Sequence, residues 1–137
     1  MTNYTGAVGI AVSDLDRSVD FYTRVLGMRQ LTTFSLPHMD EVVVGWGRRG
    51  AAIVLMRYTD GSDPDTTDLP VKLVLYVDDP SAVADAIRAE GLAIEREPAP
   101  VPTLGDAVVG FAKDPDGYLL ELLEAPRGDD GAAAPGA

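Results

Sequence analysis

The residue whose type and position point most directly to chemistry is Glu121, a carboxylate in the apolar run Tyr118-Leu119-Leu120-Glu121-Leu122-Leu123-Glu124. Burying a lone carboxylate costs several kcal/mol or displaces its pKa, by about 3–5 units at the extreme. Glu121 must therefore face solvent or be paired in a cavity, which makes it a site candidate. The preceding Asp114-Pro115-Asp116-Gly117 is a turn sequence, with proline presetting one dihedral and glycine accepting positive φ. Other reactive groups are scarce. The chain has no cysteine, which excludes disulfides, thiolate metal sites and cysteine nucleophiles. Its single histidine, His38, lies in an expected loop between Pro37 and Met39 and reads as a solvent-facing residue.

The elements that must position Glu121 can be read from pattern. Ala7 to Val12 alternates as a strand, with Val8, Ile10 and Val12 on one face. Asp14 is an N-cap for a helix carrying Val19, Tyr22 and Leu26 at helical spacing and closed by Gly27. Strands are expected over Glu41 to Trp46 and Ala51 to Tyr58, joined by Gly47-Arg48-Arg49-Gly50, a solvated turn. A polar linker follows from Thr59 to Asp68. The order then repeats. A strand over Val71 to Val77 precedes a helix over Ser81 to Glu90, with Ser81 as N-cap and Val83, Ala84 and Ile87 as its apolar stripe. Strands over Leu92 to Glu97, Ala107 to Phe111 and Tyr118 to Leu123 complete the second half. Residues 126–137 have too little apolar bulk to pack and are expected to form a mobile tail.

At 137 residues the chain suffices for one domain with a real core. Its net charge of −11 argues against nucleic acid and anionic membranes as partners, and favours a neutral or cationic small molecule. No apolar run is long enough to span a bilayer, and the first residues lack a basic-then-apolar leader, so a soluble cytoplasmic protein is expected.

Two motifs resemble the glyoxalase-type modules of the vicinal oxygen chelate superfamily, which includes glyoxalase I, bleomycin-resistance proteins, extradiol dioxygenases and methylmalonyl-CoA epimerase. One is Val12-Ser13-Asp14-Leu15-Asp16-Arg17-Ser18-Val19-Asp20-Phe21-Tyr22-Thr23-Arg24-Val25-Leu26-Gly27-Met28, and the other runs from Lys113 to Glu124. They stand in the family's order, and the likeness is closest to bacterial glyoxalase I. The resemblance implies an α+β fold in which two βαβββ modules, about 1–66 and 69–125, curl their strands into a cup-shaped mixed sheet. It also implies a homodimer, the cup being formed within one chain or across the dimer.

Bacterial glyoxalase I holds a divalent metal at four cup positions, which by this resemblance fall on Ala7, Val54, Lys72 and Glu121. Ala7 and Val54 offer no donor atom, and an ammonium at Lys72 excludes a cation. A Zn²⁺ or Ni²⁺ site needs about three or four nitrogen, oxygen or sulfur ligands. The resemblance thus implies a cup with no metal or other cofactor, in which Lys72 supplies the missing charge and pairs with Glu121. Lys72 would polarise a carbonyl or stabilise an enolate, and Glu121 would move a proton at the adjacent carbon. Strand alternation puts Val74 and Tyr76 with Lys72, and Leu119 and Leu123 with Glu121. Ala52, Val54, Met56 and Tyr58 would share one wall, while Ala7, Gly9 and Ala11 make the opposite side roomy. Trp46 is placed to stack on a ligand at the rim. The arginine that the family offers to glutathione falls on Ala11, which points away from a glutathione substrate.

Three readings follow. The chain is a metal-independent isomerase, epimerase or lyase on a small carbonyl compound; a metal-free drug- or metabolite-binding protein of the bleomycin-resistance kind; or, with least support, a metal-dependent lactoylglutathione lyase or dioxygenase.

Overall fold

The computed structural model describes residues 2–47 and 50–126. The paired arginines 48 and 49 and the expected tail beyond Pro126 lie outside the described residues. Among those described, no helix is long and apolar enough to cross a membrane. The chain forms two compact units divided between Asp65 and Thr66.

In the first unit, β1 (Ala7–Ala11), β2 (Arg29–Ser35), β3 (Met39–Gly45) and β4 (Ala52–Tyr58) form one sheet in the order β1-β4-β3-β2, with β1 parallel to β4 and the other pairs antiparallel. Helix α1 (Leu15–Asp20) starts at Asp14, whose side chain accepts the N–H of Arg17 at 3.1 Å, as its residue type predicts. It continues into a π-helical turn, Phe21–Val25, marked by the bond from Leu26 N–H to the Phe21 carbonyl. Gly27 then reverses the chain at φ +81°, a conformation that costs glycine little. The buried helical face is Ser18, Phe21, Tyr22 and Leu26, with Val19 only half-buried. Phe21 and Tyr22 meet edge to face, 5.2 Å between centroids. This helix packs against β3 and β4, where Val42, Val44, Ile53 and Leu55 are buried.

The second unit repeats the plan with β5 (Lys72–Val77), α2 (Pro80–Ala89), β6 (Ile94–Val101), β7 (Ala107–Lys113) and β8 (Leu119–Glu124), in the sheet order β5-β8-β7-β6. Ala84 and Ile87 of α2 are buried, as are Leu73, Leu75, Leu120 and Leu122 of the sheet. Each such leucine contributes about 1.5–3 kcal/mol of burial. The cap is Asp79, whose carboxylate accepts the N–H of Ala82 at 3.1 Å, with Pro80 in the first turn. The expectation of Ser81 as N-cap is therefore corrected: proline lacks the N–H that an interior position needs and suits the first helical position, pushing the cap one residue upstream of it.

Two strands depart from the sequence reading. Strand β2 was not expected from pattern, because Arg29-Gln30-Leu31-Thr32-Thr33-Phe34-Ser35 is exposed at every position and so has no apolar alternation. Strand β6 runs on past Glu97 through Pro98 and Pro100, which its position at a sheet edge tolerates.

Candidate functional site

Each sheet packs its helix on one face and turns the other outward. In the second unit the outward face is ordered by two registers, Lys72, Val74 and Tyr76 opposite Leu119, Glu121 and Leu123 across the parallel β5–β8 pair, and Leu119, Glu121 and Leu123 opposite Lys113, Phe111 and Val109 across β8–β7. Glu121 therefore has Val74 on one side and Phe111 on the other, with Leu119 and Leu123 along its own strand.

The hairpin between β7 and β8 fixes that register. The carboxylate of Asp114, itself buried, accepts the N–H groups of Asp116 and Tyr118 at 2.9 Å each. Gly117 takes φ +93°, which the turn requires, and the hydroxyl of Thr66 donates to the Asp116 carbonyl at 2.9 Å. A slip of one residue would turn Glu121 toward the leucine core.

The Nζ of Lys72 lies 2.8 Å from the Glu121 Oε1. The two side chains differ in exposure: Lys72 is 47% exposed and Glu121 12%. An ammonium has three protons to donate. One goes to Glu121, leaving others for an oxygen that approaches from the open side. Val74 and Tyr76 flank the pair at 46% and 45% exposure, an exposed apolar strip beside it.

Beside the pair is an open cleft of about 300 Å³ lined by Asp68, Leu69, Pro70, Val71, Lys72, Lys113 and Leu119. Lys113, Phe111 and the approach segment 68–71 were not picked out from sequence as site residues. The signal for Lys113 was present, since alternation along Ala107 to Lys113 puts it on the face of Phe111, but it sits at the strand's end beside the turn.

The other sequence candidates belong to the first unit. Ala7, Gly9 and Ala11 pair with Ala52, Val54 and Met56, so these six share one outward face, and Tyr58 follows in phase at the end of β4. The expectation that Ala7, Gly9 and Ala11 form a roomy wall opposite Val54 is corrected in its placement: they are its neighbours in one sheet, and at Gly9 a side chain would come within 3.0 Å of the Met56 sulfur, so the thioether lies over that glycine. Trp46 stands at the end of β3 with its Nε1 near Gly27, 37% exposed. His38 is in the exposed loop before β3, and its carbonyl accepts the Thr59 N–H at 2.9 Å. It adds the smallest of the contributions that hold the Asp60 carboxyl below its ordinary range; the largest is the hydrogen bond from Ser62.

The residues on these faces do not offer the donor set of a divalent metal. Ala7 and Val54 are hydrocarbon, Lys72 is a hydrogen-bond donor already engaged with Glu121, and among the described residues no three His, Cys, Asp or Glu side chains lie close enough together to hold an ion.

Comparison with known proteins gives a consistent family. Residues 5–122 match the Glyoxalase/Bleomycin resistance protein/Dioxygenase superfamily. A probable lactoylglutathione lyase of Vibrio parahaemolyticus is 36% identical over 126 residues, 89% of this chain and 91% of that protein. The lactoylglutathione lyase of Escherichia coli O157:H7 is 37% identical over 119 residues, 84% of this chain and 87% of that protein. Among solved structures, glyoxalase I of Zea mays superposes with a TM-score of 0.76 at 31% identity over 89% of this chain, which spans only 45% of the maize chain. The trypanothione-dependent glyoxalase I of Leishmania major gives 0.76 at 26% identity, covering 90% and 87% of the two chains.

Proposed function

The chain belongs to the glyoxalase/bleomycin resistance protein/dioxygenase superfamily, and from that premise we propose that it is a metal-independent isomerase, epimerase or lyase, homodimeric and cytoplasmic, that moves a proton next to the carbonyl of a small molecule. The observation that carries this reading is the 2.8 Å contact between Lys72 and Glu121 on an outward face bordered by Val74 and Tyr76.

The chemistry divides between the two side chains. Glu121 takes the proton from the carbon beside the carbonyl, and the C–H electrons become the C=C bond of an enolate. The negative charge that collects on the carbonyl oxygen is met by the Lys72 ammonium. Protonation of the same carbon on its opposite face gives an epimer, whereas in a 2-hydroxy carbonyl compound return of the proton from Glu121 to the former carbonyl carbon, with the hydroxyl proton passing to the other oxygen, gives an isomer. Val74, Tyr76 and Leu119 hold the substrate body and keep water from the carboxylate. Within the first unit, Ala7, Ala11, Val54, Met56, Tyr58 and Trp46 serve binding and not proton transfer, since they carry no group for it apart from the Tyr58 hydroxyl.

The relatives' names point to a lyase acting on a glutathione adduct. Ala11 stands where the resemblance puts the arginine for glutathione, which supports a smaller substrate. A second reading, a binding protein without turnover, is favoured by Val74 and Tyr76, whose exposed strip would retain an apolar ligand with no chemistry at all.

Proton NMR in D₂O separates the two. A panel of small 2-hydroxy and 2-oxo carbonyl compounds should include one whose α-proton exchanges only when the protein is present. A compound that binds yet shows no exchange leaves the binding reading. Metal independence is checked on the same sample: elemental analysis should find well under one divalent ion per chain, and EDTA should leave both Tm and exchange unchanged. One Ni or Zn per chain, lost together with activity, would overturn it.

A further inference from the structure

The cleft beside the ion pair carries a more specific inference. Lys72, Leu119 and Lys113 form one row across three strands, Lys72 paired with Leu119 across β5–β8 and Leu119 with Lys113 across β8–β7. Two strand spacings put the lysine backbones about 9–10 Å apart, with Leu119 as the floor between them. The rest of the apolar lining, Leu69, Pro70 and Val71, is stiffened by proline and by the 2.8 Å bond from Val71 N–H to the Leu69 carbonyl. A volume of about 300 Å³ is at the small end of ligand sites.

The charges in this cleft are unlike those of the chain as a whole. Lys72 is matched by Glu121, whereas the side chain of the half-buried Lys113, whose backbone N–H donates to the Ala93 carbonyl, makes no hydrogen bond or ion pair among the described residues. The Asp68 carboxylate also lines the cleft, from an exposed position with φ +53°, and opposes an anion there. In a chain of net charge −11, an unmatched ammonium lining a cleft is a local feature that the overall charge conceals. The expectation of a neutral or cationic ligand rested on that overall charge alone.

We propose that Lys113 is the specificity residue of the site, and that the substrate is a small carbonyl compound bearing a carboxylate, the carboxylate on Lys113 Nζ, the carbon chain over Leu119, and the carbonyl at Lys72. This rests on the function proposed above for Lys72 and Glu121. The two ammonium groups divide the work: the one paired to Glu121 meets the reacting oxygen, and the free one holds the end that does not react. Only a compound short enough to lie across a single leucine satisfies both.

The test is binding, read independently of turnover. Acetoacetate, 4-oxopentanoate and 5-oxohexanoate, each beside its methyl ester, are titrated into ¹⁵N-labelled protein. The acids are expected to shift the amides of Val71, Lys113 and Leu119 and to bind about tenfold more tightly than the esters, the preference weakening with salt. Lys113→Met should abolish the preference and Lys113→Arg should keep it. Acid and ester binding equally, acid binding undiminished in Lys113→Met, or no binding by any probe would each overturn the proposal. If the acids bind through Lys113 but no proton exchange is found with any compound, the catalytic reading of Lys72 and Glu121 fails while the carboxylate site stands.

Discussion

The two units are built on one plan and differ where chemistry would occur. Matching their registers sets Ala7, Gly9 and Ala11 of β1 against Lys72, Val74 and Tyr76 of β5, and Val54 and Met56 of β4 against Glu121 and Leu123 of β8. Gly45 matches Lys113 in the same way, from the alignment of β3 on β4 and of β7 on β8. The frame is preserved down to the helix caps, Asp14 and Asp79. At these positions the charged residues are in the second unit, and the first offers methyl groups, hydrogens and a thioether; one strand position further along, the order inverts, with Glu41 opposite Met56 where the second unit has Val109 opposite Leu123. A duplicated fold therefore lets its two copies carry different outward side chains, because the helix-facing leucines and valines that hold each sheet are independent of what its outward face carries.

The comparison breaks first at Glu121. If proton transfer belongs to the second unit alone, Glu121→Gln removes the base without changing shape and should lower exchange by about 10²–10⁴-fold. Ligand affinity should change far less. More than a tenth of the wild-type rate remaining would place the base elsewhere.

The next effect concerns the frame. Val42 of the first unit, opposite Leu55, matches Gly110 of the second, opposite Leu122. A Cβ at position 110 would lie 2.7 Å from the Pro98 Cγ and 3.1 Å from its Cα, so the proline-bearing edge strand β6 leaves no room for it. Gly110→Val should destabilise by about 3 kcal/mol through overpacking, seen as a lower urea midpoint at unchanged m-value. An unaffected midpoint would mean that β6 yields, and that the two edges are less different than their sequences.

Much of this frame could be read from sequence, for a physical reason. Asp14, Gly27 and the Asp114–Gly117 turn work through local hydrogen bonds and dihedrals, which residue type determines. Strand β2 could not, because nothing on either of its faces is buried, and burial is what writes alternation into a sequence. The pair Lys72–Glu121 became legible through resemblance and not through spacing, as 48 residues separate its members. Lys113 was overlooked because a lysine at a strand end ordinarily reads as solvated surface. Its significance depends on residues 68–71 lining the same cleft, a tertiary fact.

A smaller effect is expected from breaking the pair itself. Lys72 is half exposed, so its attraction to Glu121 is screened and the coupling in a Lys72→Met/Glu121→Gln cycle should be about 1 kcal/mol or less. The single variants should differ. Lys72→Met leaves a carboxylate with 12% exposure without its partner and should cost about 1–2 kcal/mol, whereas Glu121→Gln leaves an ammonium that water can reach and should cost less. Equal losses would indicate that Glu121 is better solvated than its exposure implies.

The smallest effects belong to surface pairs that the units form in different ways. In the first, Arg24 grips Asp20 one helical turn away through two bonds of 2.9 and 3.0 Å, both side chains more than half exposed. In the second, Arg88 joins its own helix to β6 by pairing with Asp85 and Glu97. The hydrogen bond from Arg24 holds the Asp20 carboxyl below its ordinary value, and Glu97 raises the Arg88 guanidinium above its own. The signs follow from linkage. A lowered acid pKa contributes stability above the unfolded-state value, about 3.9, and loses it as pH falls through the folded value. A raised basic pKa contributes stability below the unfolded value and loses it only under strong alkali. Asp20→Asn should therefore lower Tm slightly at pH 7 and have no effect once wild-type Asp20 is itself protonated, while 1 M salt should shrink its effect at pH 7. Arg88→Gln should show the larger loss of the two at pH 7, because Arg88 bridges two elements and Arg24 only one turn of helix. Should Asp20→Asn cost more than Arg88→Gln, cross-element pairing would not be what distinguishes the second unit's surface, and the contrast between the units would be confined to their outward sheet faces.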